Sequence, residues 1–288
     1  MEDTFPKDFF IQDDQTLNEI ILFGDDNERR FPTKLKFISG NVIDVRDADP
    51  YRSLPYPRQG KDPDNLEHFY DLSALPRVEQ DIVLKEARIN ENAFRETNYL
   101  SITTQVPRIE IADSIVVVAY HAYYYSNDED ILATEGVAII YDEQGEEVTR
   151  ITDKKDGFYD IRLSANGNYL MQKYGTNYGE DGGGQLDTGF KFYNTYTGKI
   201  IFEKSFGKDQ FLDGFDFFFE TNYAKYYRSK GQVFQHGLID FLNRKVYTKN
   251  MDYDKYSNDE SYSRTTFPLF LKSKKTKDLI KDGFKLEN

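Results

Sequence analysis

The chain has no cysteine and no tryptophan among its 288 residues, and only three histidines. Without cysteine there is no disulfide, no thiolate metal site and no thiol nucleophile. That absence fits a cell-envelope or virion protein as well as a cytoplasmic one. A basic excess is also missing. The net charge is −13 and the isoelectric point about 4.8, which argues against nucleic acid, because phosphate binding draws on Lys and Arg. It equally disfavours anionic membrane surfaces. Long apolar runs are lacking too: stretches such as Ile115 to Tyr120 are far too short to cross a bilayer. Direct membrane insertion is therefore not expected. The opening Met1-Glu2-Asp3-Thr4-Phe5-Pro6 carries no apolar run of the signal-peptide kind. As written, the chain reads as soluble and cytoplasmic.

Aromatic residues, by contrast, are abundant at 16%, all of them Tyr and Phe. Together with Val, Ile and Thr they suit a pleated, half-buried surface, so the composition predicts strands. The acidic balance suits solubility and also a surface that meets a basic partner.

Three stretches, beginning near Ile109, Tyr159 and Leu212, are variations on one unit of strand, polar break, aromatic strand, tight turn and return strand. In the first, Ile115-Val116-Val117-Val118-Ala119-Tyr120 reads as a strand buried on both faces. Val137 to Tyr141 is its neighbour, and Asp142-Glu143-Gln144-Gly145 turns the chain into Glu147 to Ile151. In the second, Asn166-Gly167 is a hairpin turn signal between Asp160 to Leu163 and Tyr169 to Met171. Phe190 to Tyr193 then turns through Asn194 to Gly198 into Lys199 to Phe202. The third runs from Phe215 to Tyr247 with a turn at Leu242-Asn243-Arg244. The markers Gly145, Gly198 and Asn243 recur at a spacing of roughly 45–53 residues, the period of stacked β-sheet units.

The remaining segments differ. Residues 1–97 form an N-terminal region. It has a hairpin signal, Glu19 to Phe23 returning through Lys34 to Ile38, and a Pro-rich arm over 49–76 with Pro50, Pro55, Pro57, Pro63 and Pro76. A short helix is expected over 78–96, where Val78, Ile82, Ala87 and Ile89 sit among charges and Asp81 pairs with Lys85. Residues 98–271 form the β domain. Residues 272–288 form a basic amphipathic tail, with six lysines around Leu279, Ile280, Phe284 and Leu286, suited to an acidic partner or to this protein's own acidic body.

Over residues 109–250 the chain resembles β-propeller repeat proteins with WD40-like blades. IRLSANGNYLM (161–171) is similar to the strand-turn-strand at the inner edge of a blade, and TGFKFYNTYTGKIIF (188–202) to the outer hairpin. The Gly-His and Trp-Asp pairs of WD40 repeats are absent. The resemblance implies an all-β fold, propeller-like or of stacked antiparallel sheets. About three blade-like units are legible, where closed rings have about four to eight.

Chemistry is sparse. His68, His121 and His236 have no metal-like spacing and lie among aromatics. There is no Gly-x-Ser-x-Gly elbow and no P-loop, and the acidic, glycine-rich stretch from Tyr174 to Asp187 lacks calcium-loop spacing. No catalytic, metal or cofactor residues are assigned, and no cofactor is expected. The tyrosines are the better sign of function. Tyr123, Tyr124 and Tyr125, with Tyr226 and Tyr227 in the corresponding position of a later unit, and Tyr178 in the glycine-rich stretch, are candidate partner-binding residues. Clustered exposed Tyr offers large contact area with a polar tip. The expectation is a non-enzymatic protein-interaction or scaffold module within a larger assembly. The alternatives are a glycan hydrolase using paired carboxylates and an acidic immunity- or sensor-type binder.

Overall fold

In a computed structural model of the chain the described residues are 3–5, 17–23, 31–45, 68–71, 101–104, 108–112, 114–125, 131–158, 160–175, 187–207, 210–218, 222–230, 233–251, 281 and 283–287. They build an all-β fold of antiparallel sheets. Sheet A contains β1 (Asp3–Phe5), β2 (Leu17–Phe23), β3 (Phe31–Phe37) and β4 (Val42–Asp44), paired in sequence order. In sheet B, β8 (Ile115–Tyr125) is central. On one side it pairs with β9 (Ile131–Tyr141), which pairs with β10 (Glu147–Asp153). On its other side β7 (Arg108–Ala112) takes its first half and β6 (Ser101–Thr104) its second, and β5 (His68–Asp71) pairs with β6. Sheet C is the meander β11 (Asp160–Leu163), β12 (Tyr169–Tyr174), β13 (Thr188–Asn194) and β14 (Ile200–Gly207). Sheet D runs β15 (Phe211–Phe217), β16 (Tyr223–Lys230), β17 (Val233–Asp240), β18 (Lys245–Asn250) and β19 (Lys285–Leu286).

Strand alternation sends side chains to both faces of each inner sheet, and both faces are apolar. Val116, Val118, Tyr120, Val137, Ile139 and Tyr141 of sheet B pack on Leu35, Phe37 and Val45 beside sheet A. The intervening residues Ile115, Val117, Ala119, Ala138 and Ile140 pack on Ile161, Leu163, Leu170 and Tyr193 of sheet C. The opposite face of sheet C presents Met171, Phe190 and Phe192 to Phe215, Phe217, Ala224, Tyr226, Ile239 and Phe241 of sheet D. This last interface is mostly aromatic. Phe192 stacks on Phe241 at 4.9 Å and 9°, and Phe217 meets Phe241 edge-on at 5.6 Å, geometries that add to simple area burial.

Polar contacts tie the layers together as well. The Tyr120 hydroxyl donates to the Val45 carbonyl at 2.6 Å, joining sheets B and A. Glu110 on β7 accepts from Arg162 at 3.3 Å and from the Leu163 backbone at 3.4 Å, joining sheets B and C.

The turn between the last two meander strands has a left-handed residue in every sheet: Gly40 (φ 93°), Gly145 (φ 80°), Gly198 (φ 64°) and Arg244 (φ 56°). Glycine reaches that conformation at no steric cost, and the Arg244 turn is braced by Asp240, which accepts from Asn243 at 3.1 and 2.8 Å.

Several sequence expectations are refined by this arrangement. The N-terminal hairpin joins the stack as sheet A. The Pro-rich arm contains β5, which among the described residues pairs with β6 at the margin of sheet B. The helix expected over 78–96 lies outside the described residues. At the end of the tail Phe284 is buried and Lys285–Leu286 pair with β18, so this part lies against the protein's own body, where the outer face of sheet D has apolar side chains to cover.

Phe192 is fully buried in the tightest aromatic contact. Phe192→Ala is expected to cost about 3–5 kcal/mol, from lost burial plus a cavity among rigid rings. Urea unfolding checks this, as a lower midpoint with an unchanged slope.

Candidate functional site

The densest chemistry lies between sheets B and C. In β13 the apolar residues Phe190 and Phe192 face sheet D, so alternation points Lys191 and Tyr193 at sheet B. Lys191 is buried, and its Nζ donates to Asp153 Oδ2 at 2.5 Å and to Asp156 Oδ2 at 2.6 Å. It also lies over the Tyr174 ring at 5.2 Å. Asp153 ends β10, and its second oxygen accepts from the backbone of Lys155 and Asp156, both at 3.0 Å. Gln172 on β12 donates to Asp153 Oδ2 at 3.2 Å and to the Gly157 carbonyl, and accepts from the Tyr193 hydroxyl at 2.6 Å. His121 on β8 is buried alongside.

Local sequence explains how the loop 154–158 reaches this depth. A Cβ on Gly136 would stand 2.5 Å from the Tyr120 carbonyl and 2.6 Å from the Phe158 nitrogen, so only glycine lets β9 and this loop approach so closely. Gly157 turns the loop with φ 61°, beside the His121 ring.

The electrostatics fix each group in one proton state. Burial alone would push the Asp153 carboxyl up, but the hydrogen bond and charge of Lys191, with the two backbone N–H groups, hold it below its usual value. Burial likewise opposes the Lys191 charge, yet Asp153 and Asp156 keep it above the ordinary lysine range. The Tyr193 phenol is pushed up by burial and by the nearby Asp153 and Asp156 charges. His121 is pushed down to about 3 by burial, against the pull of Asp153. At neutral pH Lys191 is a cation, Asp153 an anion, and Tyr193 and His121 neutral. A general acid or base works best with a pKa near the operating pH, and none of these four is poised there. The cluster therefore acts as a polar lock between two sheets. Among the described residues no three His, Asp or Glu side chains converge to hold a metal ion.

The tyrosines fall in different environments. Tyr123, Tyr124 and Tyr125 occupy the second half of β8, paired with Thr134, Ala133 and Ile131 of β9 and with Thr103, Ile102 and Ser101 of β6. Their side chains, and Tyr178 altogether, lie outside the described residues. Tyr226 is wholly buried between Phe190 at 5.3 Å and Phe206 at 5.1 Å. It is a core residue, which corrects the expectation of an exposed pair. Tyr227 points to the opposite face, half-buried, with its ring edge-on to His236 at 4.9 Å. The β8 cluster and the β16 pair belong to sheets B and D, with sheet C between them.

A different surface was not legible in the tyrosine pattern. Ile38, Val42, Tyr196 and Ile200 each leave at least half of their surface exposed (56%, 53%, 50% and 51%), and Leu242 39%. They sit in or beside the turns β3–β4, β13–β14 and β17–β18. These turns lean on their neighbours from sheet to sheet. Ser39 Oγ and Asn41 Nδ2 each donate to the Gln144 carbonyl at 2.7 Å, in the β9–β10 turn. Gly198 lies against Thr149 of β10, and Phe241, at the β17–β18 turn, packs on Tyr169 at 5.0 Å. The result is one rim of turns. The available signal was an apolar residue inside a turn, as in Asn194-Thr195-Tyr196-Thr197-Gly198, where no sheet face is near enough to bury it.

No family model matches this chain, and no curated protein is matched by it.

Two outcomes test the lock. Lys191→Met leaves two carboxylates buried without their cation and is expected to cost about 3–5 kcal/mol, whereas adding Asp153→Asn and Asp156→Asn recovers much of that loss. Acid sensitivity follows from the histidines. His236 is pushed down to about 4, by burial and then by Lys249, so both His121 and His236 stay neutral in the fold. The unfolded chain takes up these protons below about pH 6.5, so their contribution is complete above that pH and is lost as pH falls toward 4. The loss is about 1.4 kcal/mol per pH unit for each histidine. Urea midpoints at pH 7.5 and 5.0 should show it, with His121→Gln removing roughly half of the histidine-linked part.

Proposed function

We propose that this chain is a non-enzymatic protein-interaction scaffold, its sheets being blades of a propeller-like stack and its rim of turns the contact surface. The observation that carries this reading is the placement of Ile38, Val42, Tyr196, Ile200 and Leu242 at corresponding turns of sheets A, C and D. A turn has no structural need for an exposed aliphatic or aromatic side chain, and apolar groups gathered on one margin are a feature of binding surfaces. Tyr196 supplies the amphipathic ring that anchors such contacts.

The chemistry of the partner follows from what surrounds these residues. Asp142, Glu143 and Glu146 lie in the adjoining β9–β10 turn, in a chain of net charge −13. A partner protein with an apolar patch bordered by Lys or Arg meets both features, and charge complementarity would speed its encounter. The locked proton states between sheets B and C support a scaffold in preference to a catalyst.

Paired substitutions distinguish the rim from the rest of the surface. Tyr196→Lys with Ile200→Lys is expected to leave stability within about 0.5 kcal/mol and to abolish co-purification of the specific partner from the native source, identified by mass spectrometry. Val233→Lys, at an exposed residue on the opposite end of its sheet, should retain that partner. Equal recovery with both variants would remove the rim from the interaction.

A further inference from the structure

The outer edge of sheet D is occupied by a piece of the chain that arrives from far along the sequence. Residues 252–280 separate β18 from the segment that pairs with it. A return strand of a hairpin needs only about two to five linking residues. This strand is therefore an independent element seated beside β18, and among the described residues the contacts that seat it are few and separable. The ladder consists of Tyr247 opposite Leu286 and Thr248 opposite Lys285, continued by the Glu287 N–H donating to the Val246 carbonyl at 2.8 Å. Phe284 inserts among Phe218, Leu238, Tyr247 and Tyr223 and is 2% exposed. The Glu287 carboxylate accepts from Arg228 at 2.8 Å and lies 3.7 Å from Lys204 of sheet C. Lys285 and Leu286, between these anchors, are exposed.

Those contacts read one kind of peptide. A strand edge offers backbone donors and acceptors to any extended segment, while side-chain pockets decide which segment fits. Here one position asks for a buried aromatic ring, and a position three residues further on asks for a carboxylate. The two residues between them are read only through their backbone. With one buried ring and a two-residue ladder, the resident segment is held by much less than the inner strands. Segments of that kind open without unfolding the rest.

We propose that the outer edge of β18 is a strand-accepting site for an extended protein segment of the pattern aromatic-x-x-acid, which the segment Phe284–Glu287 occupies until it is displaced. The site is separate from the rim of turns and does not depend on it. When the segment leaves, the Val246–Thr248 edge, the apolar recess and the Arg228 guanidinium become available together.

Fluorescence anisotropy with a labelled peptide of residues 281–288 tests this on the full-length chain. Phe284→Ala weakens the resident occupant, so that variant is expected to bind the peptide at least tenfold more tightly than wild type, with affinity falling as salt rises. Peptides carrying Phe284→Ala or Glu287→Ala should lose binding at least tenfold. No binding to a Phe284→Ala chain of native circular dichroism, or equal binding of the substituted peptides, overturns the proposal. Should that variant fail to fold, Glu287→Ala releases the same segment at its surface end and is expected to show the same gain. In the wild-type chain, backbone amides of residues 284–287 should exchange at least tenfold faster than that of Ile239, and faster still with saturating peptide. Exchange unchanged by peptide overturns the proposal.

Discussion

Burial of the inner sheets on both faces is the constraint from which the rest of this structure follows. A sheet with one wet face can place its charges there by simple alternation. Sheets B and C have no such face over their central strands: Val116 and Val117, or Met171 and Leu170, point in opposite directions and are equally buried. Any polar side chain in these strands must find its partners inside, since an unpaired buried charge is among the most costly features a fold can carry.

Lys191 shows how strictly this applies. Its neighbours Phe190 and Phe192 belong to the aromatic interface with sheet D, so its own direction is set by them. Both acids that meet it come from the end of β10 and the loop beyond, in the neighbouring layer. A slip of one residue in β13 would turn Lys191 into the Phe215, Phe217 and Phe241 cluster, where it has no acid, and would turn a phenylalanine onto Asp153. Side-chain period makes such slips all-or-none. The lock thus adds specificity of register at a level of net stability that an apolar substitute would match.

Much of the layering was written in the chain. The continuous apolar run in β8 predicted two-sided burial with β9 as its neighbour, and Gly145, Gly198 and Asn243 marked corresponding turns; positive φ accounts for the two glycines, while in the third turn it falls on Arg244, next to the marker. The N-terminal sheet was half legible, since β2, β3 and β4 carry alternation and turn chemistry but β1 is only three residues long. The polar lock was not legible. A lysine between two phenylalanines reads as solvent-facing unless both faces of the strand are known to be covered, and its acids lie 38 and 35 residues away. Tyr226 failed for a related reason: a Tyr-Tyr pair in a strand divides between two faces, and the phenol that lands among Phe190 and Phe206 is lost to the surface.

A row of sheets that bury both faces leaves a problem at its ends, because an end sheet has an apolar outer face and, among the described residues, no next sheet to receive it. In sheet D this face includes Leu238 and Tyr247, with Phe218 beside them, and Phe284 closes it. The edge strand and the cap are one segment, so pairing and covering are gained or lost together. It follows that a strand lacking an aromatic group in the place of Phe284 would satisfy the β18 edge while leaving the recess exposed. Such a strand would compete poorly with the resident one. The requirement for an aromatic residue is thus imposed by the end of the stack, and the requirement for an acid by Arg228 and Lys204, which face the gap between sheets C and D from either side.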